Sequence, residues 1–138
     1  MALAIPSSAR HRAEEKQHRI RTLVADDSPA AQHAISSLLE KDREIDLVGS
    51  ASDGREAVEK ALKLRPDLVL MDLQMPEMNG LEATAELRRT LPEARIIIIT
   101  VLDAGDLEQA CHEAGADGFV PKHRLYRDLP TEIHSLFN

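Results

Sequence analysis

Four apolar runs in this chain each end in a side chain suited to binding or taking up a phosphoryl group. Asp26 and Asp27 close the first run, Asp72 another, Thr100 a run of four isoleucines, and Lys122 the last. In an open parallel sheet the carboxyl ends of the strands gather on one edge, where ligands bind, so these sequence-distant residues are expected to meet. Three carboxylates brought close together repel, and one of them gains a proton unless a cation neutralises them. Oxygen-only ligation with few carboxylates and a phosphate co-ligand is the habit of Mg²⁺, whereas Ca²⁺ wants more ligands than the sequence offers. An aspartate can also act as a nucleophile and form an acyl phosphate, provided that fixed positive charge balances the phosphoryl oxygens. Mg²⁺, Lys122 and the Thr100 hydroxyl can supply it, and Asp72, expected at a central strand end, is the candidate nucleophile. Taken singly, each residue has a plainer reading, since an aspartate after a strand is commonly a turn former or helix cap. Their joint placement at successive strand ends is what points to a site.

The elements that must carry these residues alternate strand-like runs with helix-period segments, the βα pattern of a parallel sheet. Strands are expected at Ile20 to Ala25, Ile45 to Ala51, Asp67 to Met71, Arg95 to Ile99 and Asp117 to Pro121. The first helix is capped by Ser28, has Pro29 in its first turn and ends near Lys41, with Ala31, Ile35, Leu38 and Leu39 on its apolar face. Asp53 and Glu56 have the spacing of a capping box. The helix they open packs Ala57, Val58, Ala61, Leu62 and Leu64 on one face and stops at Arg65 and Pro66. A loop from Leu73 to Gly80 leads to a helix over Leu81 to Thr90, and a fourth helix lies within Asp103 to Ala114. A short last helix is expected near Asp128, with Pro130 in its first turn. Five such units imply right-handed crossovers with helices on both faces. The fold class is therefore α/β: one doubly wound five-stranded parallel sheet, order 2-1-3-4-5, in a flavodoxin-like (βα)5 three-layer sandwich.

Composition narrows the function classes. The 138 residues, 43% apolar, suit one domain with its own core, and the three aromatics, Phe119, Tyr126 and Phe137, leave that core to aliphatic side chains. Cys111 is the only cysteine, so an internal disulfide and a Cys-rich zinc site are excluded, and it reads as a small apolar filler. Without an apolar stretch of about 20 residues or a signal-peptide core, a cytoplasmic protein away from the membrane is expected. The formal charge is −7. Residues 1 to 21 hold five cations against two acids, or +3, which leaves −10 for residues 22 to 138. An acidic body is a poor nucleic-acid binder, so no direct nucleic-acid contact is expected. Residues 1 to 19 read as an N-terminal extension, flexible or partly helical, before a domain spanning 20 to 138. The six histidines, His11, His18, His33, His112, His123 and His134, read as solvated, with His123 beside Lys122 the one within reach of a phosphate.

With these residues in view, the chain resembles the receiver domains of two-component response regulators over about residues 20 to 137. The strings that carry the resemblance are VADDSPAAQ, DLVLMDLQMPEMNG, IIIIT and GADGFVPK, in that order and spacing. The resemblance implies that a sensor histidine kinase or a histidine phosphotransfer protein donates a phosphoryl group to Asp72. It implies Mg²⁺ held by Asp27, Asp72 and the Gln74 backbone carbonyl, with Asp26 acting mainly through water. Lys122 would pair with the acceptor and its phosphate, Thr100 would move to hydrogen-bond a phosphoryl oxygen, and Phe119 would turn inward behind it. The output face would be helix four, strand five and helix five, used to bind a downstream protein, with dimerisation through that face left open. Gln74, Val101 and Leu102 occupy positions that in this family tune rates. The protein would be a signalling phosphoacceptor that assists its own phosphorylation and dephosphorylation, not an enzyme acting on a separate substrate.

Some features depart from the common pattern. Pro121 precedes Lys122 and His123 follows it, so a cis bond after the lysine is not assumed, at a cost of about 3 to 4 kcal/mol without proline. The Pro121, Lys122 order resembles receivers joined to helix-turn-helix domains, which leaves open a stand-alone receiver or the front of a DNA-binding regulator. A receiver-like module that works without phosphate is one alternative. A haloacid dehalogenase-like hydrolase is disfavoured because Gln74 stands where a second acid is usual. Val101 follows Thr100 where many receivers have a smaller residue, which suggests narrowed access to Asp72 and slow exchange with small phosphodonors. Val101→Ala is then expected to accept phosphate from acetyl phosphate faster than the parent, and an unchanged rate would contradict this.

Overall fold

The computed structural model describes residues 19–102 and 105–137. The expectations for residues 1–18 and for Asp103 lie outside the described residues. The sheet has five parallel strands in the order β2-β1-β3-β4-β5: β1 is Ile20–Ala25, β2 Ile45–Ala51, β3 Leu68–Met71, β4 Arg95–Thr100 and β5 Gly118–Pro121. The intervening helices are α1 Pro29–Glu40, α2 Gly54–Leu64, α3 Gly80–Thr90, α4 Gly105–Ala114 and α5 Leu125–Phe137. This is the α/β doubly wound order expected from the sequence.

Alternation along the strands divides the core into two layers. Val69, Met71, Ile96 and Ile98 pack on one side with Ala57 and Ala61 of α2, Ala83 and Leu87 of α3, and Cys111 of α4. Leu68, Leu70, Ile97 and Ile99 pack on the other with Ile35 and Leu39 of α1 and Leu129 and Ile133 of α5. The isoleucine run is thus buried from both sides, as a central parallel strand requires. Cys111 is a buried filler, 1% exposed.

Several local readings need correction. Asp53 does accept the Glu56 N–H at 2.7 Å, but the Glu56 carboxylate turns to the N–H of Ser52, not to that of the cap, so the box is half formed. The full capping box belongs to Asn79 and Glu82 at the start of α3. Leu62 is 41% exposed, because it stands about 100° beyond Ala61 and so falls outside the packed stripe. The last helix begins at Leu125, after a 3-10 turn over Lys122–Arg124, and Pro130 lies inside it. The stripe of Leu125, Leu129 and Ile133 docked on the sheet outweighs the hydrogen bond that Pro130 cannot donate. Asp128 is consequently not a cap and pairs with Arg124 and Arg127. His134 is not a free surface group either: its ring nitrogens lie 2.7 Å from Asp42 and 3.2 Å from Glu44. Peptide bonds among the described residues are trans, that after Lys122 included.

Candidate functional site

Strand register brings the chemistry together. Ala25 is level with Met71, and Thr100 with Pro121, so Asp26, Asp72, Thr100 and Lys122 lie at the same end of adjacent strands β1, β3, β4 and β5. The Asp72 N–H donates to the Ala25 carbonyl at 2.9 Å, which continues the ladder one residue past β3. Asp26, Asp27 and Asp72 each offer a carboxylate oxygen, and these oxygens lie within 4.8 Å of one another. Asp26 and Asp72 are buried and Asp27 is exposed.

Lys122 closes the cluster. Its ammonium lies 2.7 Å from Asp26 Oδ2 and 3.4 Å from Asp72 Oδ2. Asp26 Oδ1 accepts the Ser28 N–H at 2.9 Å, so each oxygen of this buried carboxylate faces positive charge or a donor. Asp72 has less support. Burial first, and the charge of Asp26 second, push its pKa above the ordinary 3.8, against the opposing pull of Lys122 and the Gln74 N–H. Burial on its own would lower the Lys122 pKa, but its hydrogen bond to Asp26 and the charges of Asp72 and Asp26 together leave it raised. One cation thus serves two buried carboxylates with a third beside them.

The cluster therefore fits a small hard cation. Its donors are all oxygen, and one carboxylate oxygen from each of Asp26, Asp27 and Asp72 lies within 4.8 Å of the others, against the single ammonium of Lys122.

The loop after β3 is held in a defined shape. Gln74 donates its N–H to Asp72 Oδ1 at 3.4 Å, while its side chain is exposed. Glu77 has φ 67°, and the Met78 N–H reaches the Pro76 carbonyl at 2.7 Å, the hydrogen bond of a γ-turn. Gly80 is required by close approach, since a Cβ there would collide with the carbonyl of Asp72, and one at Gly54 would collide with that of Met78. The first residues of α2 and α3 therefore clamp this loop from two sides.

Thr100 is fully buried, and its hydroxyl oxygen accepts the Leu102 N–H at 3.3 Å. Val101 and Leu102, which follow it, are exposed. Phe119 is half-buried on the edge strand β5, lining a groove of about 320 Å³ with Cys111 and His112 of α4. His123 is exposed.

Two contributors were missed by the sequence reading. Ser28 was read only as a cap, yet its N–H also orients Asp26. Gln32 was not singled out, yet its side-chain amide donates to the carbonyls of both Asp26 and Ala51, at 2.6 and 2.9 Å. The available signal was a polar residue on the stripe shared by Ile35 and Leu39, three and seven residues on.

Comparison with known proteins decides the family. The sequence pattern described as the response regulator receiver domain matches residues 22–134. The chain belongs to that family. As a receiver domain it is similar to the response regulator protein VraR of Staphylococcus saprophyticus, 34% identical over 119 residues, covering 86% of this chain and 57% of that protein. It is 42% identical over 105 residues to a protein-glutamate methylesterase/protein-glutamine glutaminase of Alkalilimnicola ehrlichii, covering 75% of this chain and 27% of that enzyme. This chain thus spans about half or less of these relatives' length, and related receivers sit in enzymes as well as in regulators. Among solved structures, a chain from the CheX-CheY-BeF3-Mg²⁺ complex of Borrelia burgdorferi superposes with TM-score 0.81 at 26% identity, covering 86% of this chain and 90% of that one. The receiver domain is a signalling phosphoacceptor.

The raised pKa of Asp72 has a consequence in metal-free buffer. The folded state binds this proton more tightly than the unfolded chain, so the group's favourable contribution is full below pH 3.8 and is lost as pH rises through the folded value. At pH 7 the ionised Asp72 therefore costs stability. Asp72→Asn is expected to melt a few degrees above the parent at pH 7 without Mg²⁺, with the gap closing towards pH 3.8. An equal or lower melting temperature at pH 7 would contradict this reading of the site.

Proposed function

We propose that this receiver takes a phosphoryl group from the phosphohistidine of a sensor histidine kinase or a histidine phosphotransfer protein onto Asp72. The observation that carries the reading is the convergence of three carboxylates within 4.8 Å, with the Lys122 ammonium on two of them. An Asp72 oxygen attacks phosphorus as the P–N bond breaks, and the electron pair of that bond returns to the imidazole nitrogen. The residues proposed to hold Mg²⁺ are Asp27, Asp72 and the Gln74 backbone carbonyl, with Asp26 acting through water. When bound, the ion supplies positive charge to the phosphoryl oxygens. The complex from Borrelia burgdorferi, which contains BeF3 and Mg²⁺, supports this choice of ion.

The chain's own residues do the rest. Phosphorylation moves the negative charge from the Asp72 carboxylate to the phosphoryl oxygens, so the Lys122 ammonium turns to them. The Thr100 hydroxyl accepts from Leu102 but keeps its proton, and swings to donate it to a phosphoryl oxygen. Phe119 then turns from the α4 groove towards the space that Thr100 leaves. The bound phosphoryl group favours this arrangement by the difference in contact energy between the two conformations. Gln74, Val101 and Leu102 are proposed to govern how donors and water reach Asp72.

The α4–β5–α5 face is the proposed output, presented to a downstream protein or to a second copy of the chain. The greater length of the relatives supports a second form of the output, an effector on the same polypeptide. The proposed domain runs from residue 20 to 138, with residues 1–19 as an extension. A cytoplasmic location is proposed because the phosphoryl donor is a histidine kinase or phosphotransfer protein; separately, no helix among the described residues is long and apolar enough to cross a membrane.

Incubation with Mg²⁺ and acetyl phosphate is expected to add one phosphoryl mass to the parent, labile to hydroxylamine, and none to Asp72→Asn. No adduct on a folded parent, with phosphoramidate failing too, would overturn the proposal in favour of a module that works without phosphate.

A further inference from the structure

We infer that Gln32 is a positioning residue for the cation site, an inference that rests on the function proposed above. Gln32 lies on α1, and its side-chain hydrogen bonds go to backbone carbonyls and not to the carboxylates of the cluster. Its side-chain nitrogen instead donates to the Asp26 carbonyl at 2.6 Å and to the Ala51 carbonyl at 2.9 Å. Both partners are acceptors, so only the amide nitrogen can face them, and its two protons are both used.

The Asp26 carbonyl belongs to the peptide plane that joins Asp26 to Asp27. Fixing that plane sets the ψ of Asp26 and the φ of Asp27, and with them the directions in which both carboxylates leave the backbone. The Ala51 carbonyl provides the anchor, because it also accepts the Asp26 N–H at 3.0 Å. Gln32 thereby ties both ends of residue Asp26 to the end of β2. Ser28 adds a third tie through its N–H on Asp26 Oδ1.

The arrangement explains why a half-buried polar side chain occupies the stripe that Ile35 and Leu39 continue into the core. An apolar residue at position 32 would leave two carbonyls without this partner and the peptide plane free to rotate. Partners one shell out from a metal typically change its affinity by about ten- to a hundredfold when removed. The expected effect is at the low end, because the Asp26 N–H and Ser28 ties remain.

The test is calorimetric titration of Mg²⁺ into the parent, Gln32→Met, Gln32→Asn and Ile133→Val at 25 °C, with melting temperatures recorded alongside. Gln32→Met keeps the volume but has no donor, and Gln32→Asn keeps the amide but is one methylene too short. Ile133→Val loosens the core on the same face of the sheet, away from the site, and reports what mere destabilisation does. Weakening of about tenfold in both Gln32 variants, with Ile133→Val within twofold of the parent, is the expected result. If Gln32→Met does not fold, Gln32→Asn alone carries the comparison. Affinity within twofold of the parent in the folded Gln32 variants overturns the inference while leaving the proposed function standing. Equal weakening in Ile133→Val also overturns it, by tracing the effect to stability. A parent that binds no Mg²⁺ overturns the proposed function itself, and this inference with it.

Discussion

The Lys122 ammonium, set between the carboxylates of Asp26 and Asp72, is the contact on which the site depends. Two buried acids at one sheet edge, with a third beside them, repel each other at short range and in poor solvent. Desolvation makes that repulsion count for more than it would in water. Lys122 relieves it only in part, since Asp72 remains harder to ionise than an ordinary aspartate. A site left this far from charge balance attracts a divalent cation. Phosphoryl transfer to Asp72 would not relieve it, because the carboxylate charge gives way to a phosphoryl group that carries more. A bound cation is therefore needed beside Lys122 after phosphoryl uptake as before it.

Everything around the cluster holds it in this condition. The central strands are buried on both faces, so their register cannot slip without turning isoleucines and leucines to solvent. Asp117 fastens the start of β5 by accepting the Ile96 N–H and the Arg88 guanidinium, both at 2.8 Å. Lys122 is delivered five residues later. Beyond β3, Gly54 and Gly80 allow backbones to approach closely enough to fix the γ-turn loop. The proposed switch residues are placed differently: Thr100 is buried and Phe119 half-buried on the edge strand, beside an open groove. Acids on central strands and a half-buried aromatic at the rim suit the proposal that the state of the site is read on the α4–β5–α5 face.

Much of this was legible in the residues. Each strand was visible as an apolar run bounded by turn formers, and the order followed from parallel βα units. The acids, Thr100 and Lys122 could be grouped because strand ends converge whatever the intervening sequence. What stayed hidden depended on side-chain reach. Gln32 contacts backbone carbonyls, which carry no sequence signature. The pairing of His134 with Asp42 and Glu44 joins residues distant in the chain through tertiary packing alone. Pro130 misled for a different reason: a local rule placed it in a first turn, and the docking of Leu125, Leu129 and Ile133 overrode that rule.

The measurement that bears most directly on this account is a crystal structure of the protein with Mg²⁺ and BeF3. Beryllium is expected on an Asp72 oxygen, with Mg²⁺ against Asp27, Asp72 and the Gln74 carbonyl. Lys122 and Thr100 are expected to face the fluorides, and Phe119 to have turned away from the α4 groove. A structure with Asp72 unmodified and Lys122 still paired with Asp26 at saturating Mg²⁺ and BeF3 would contradict it.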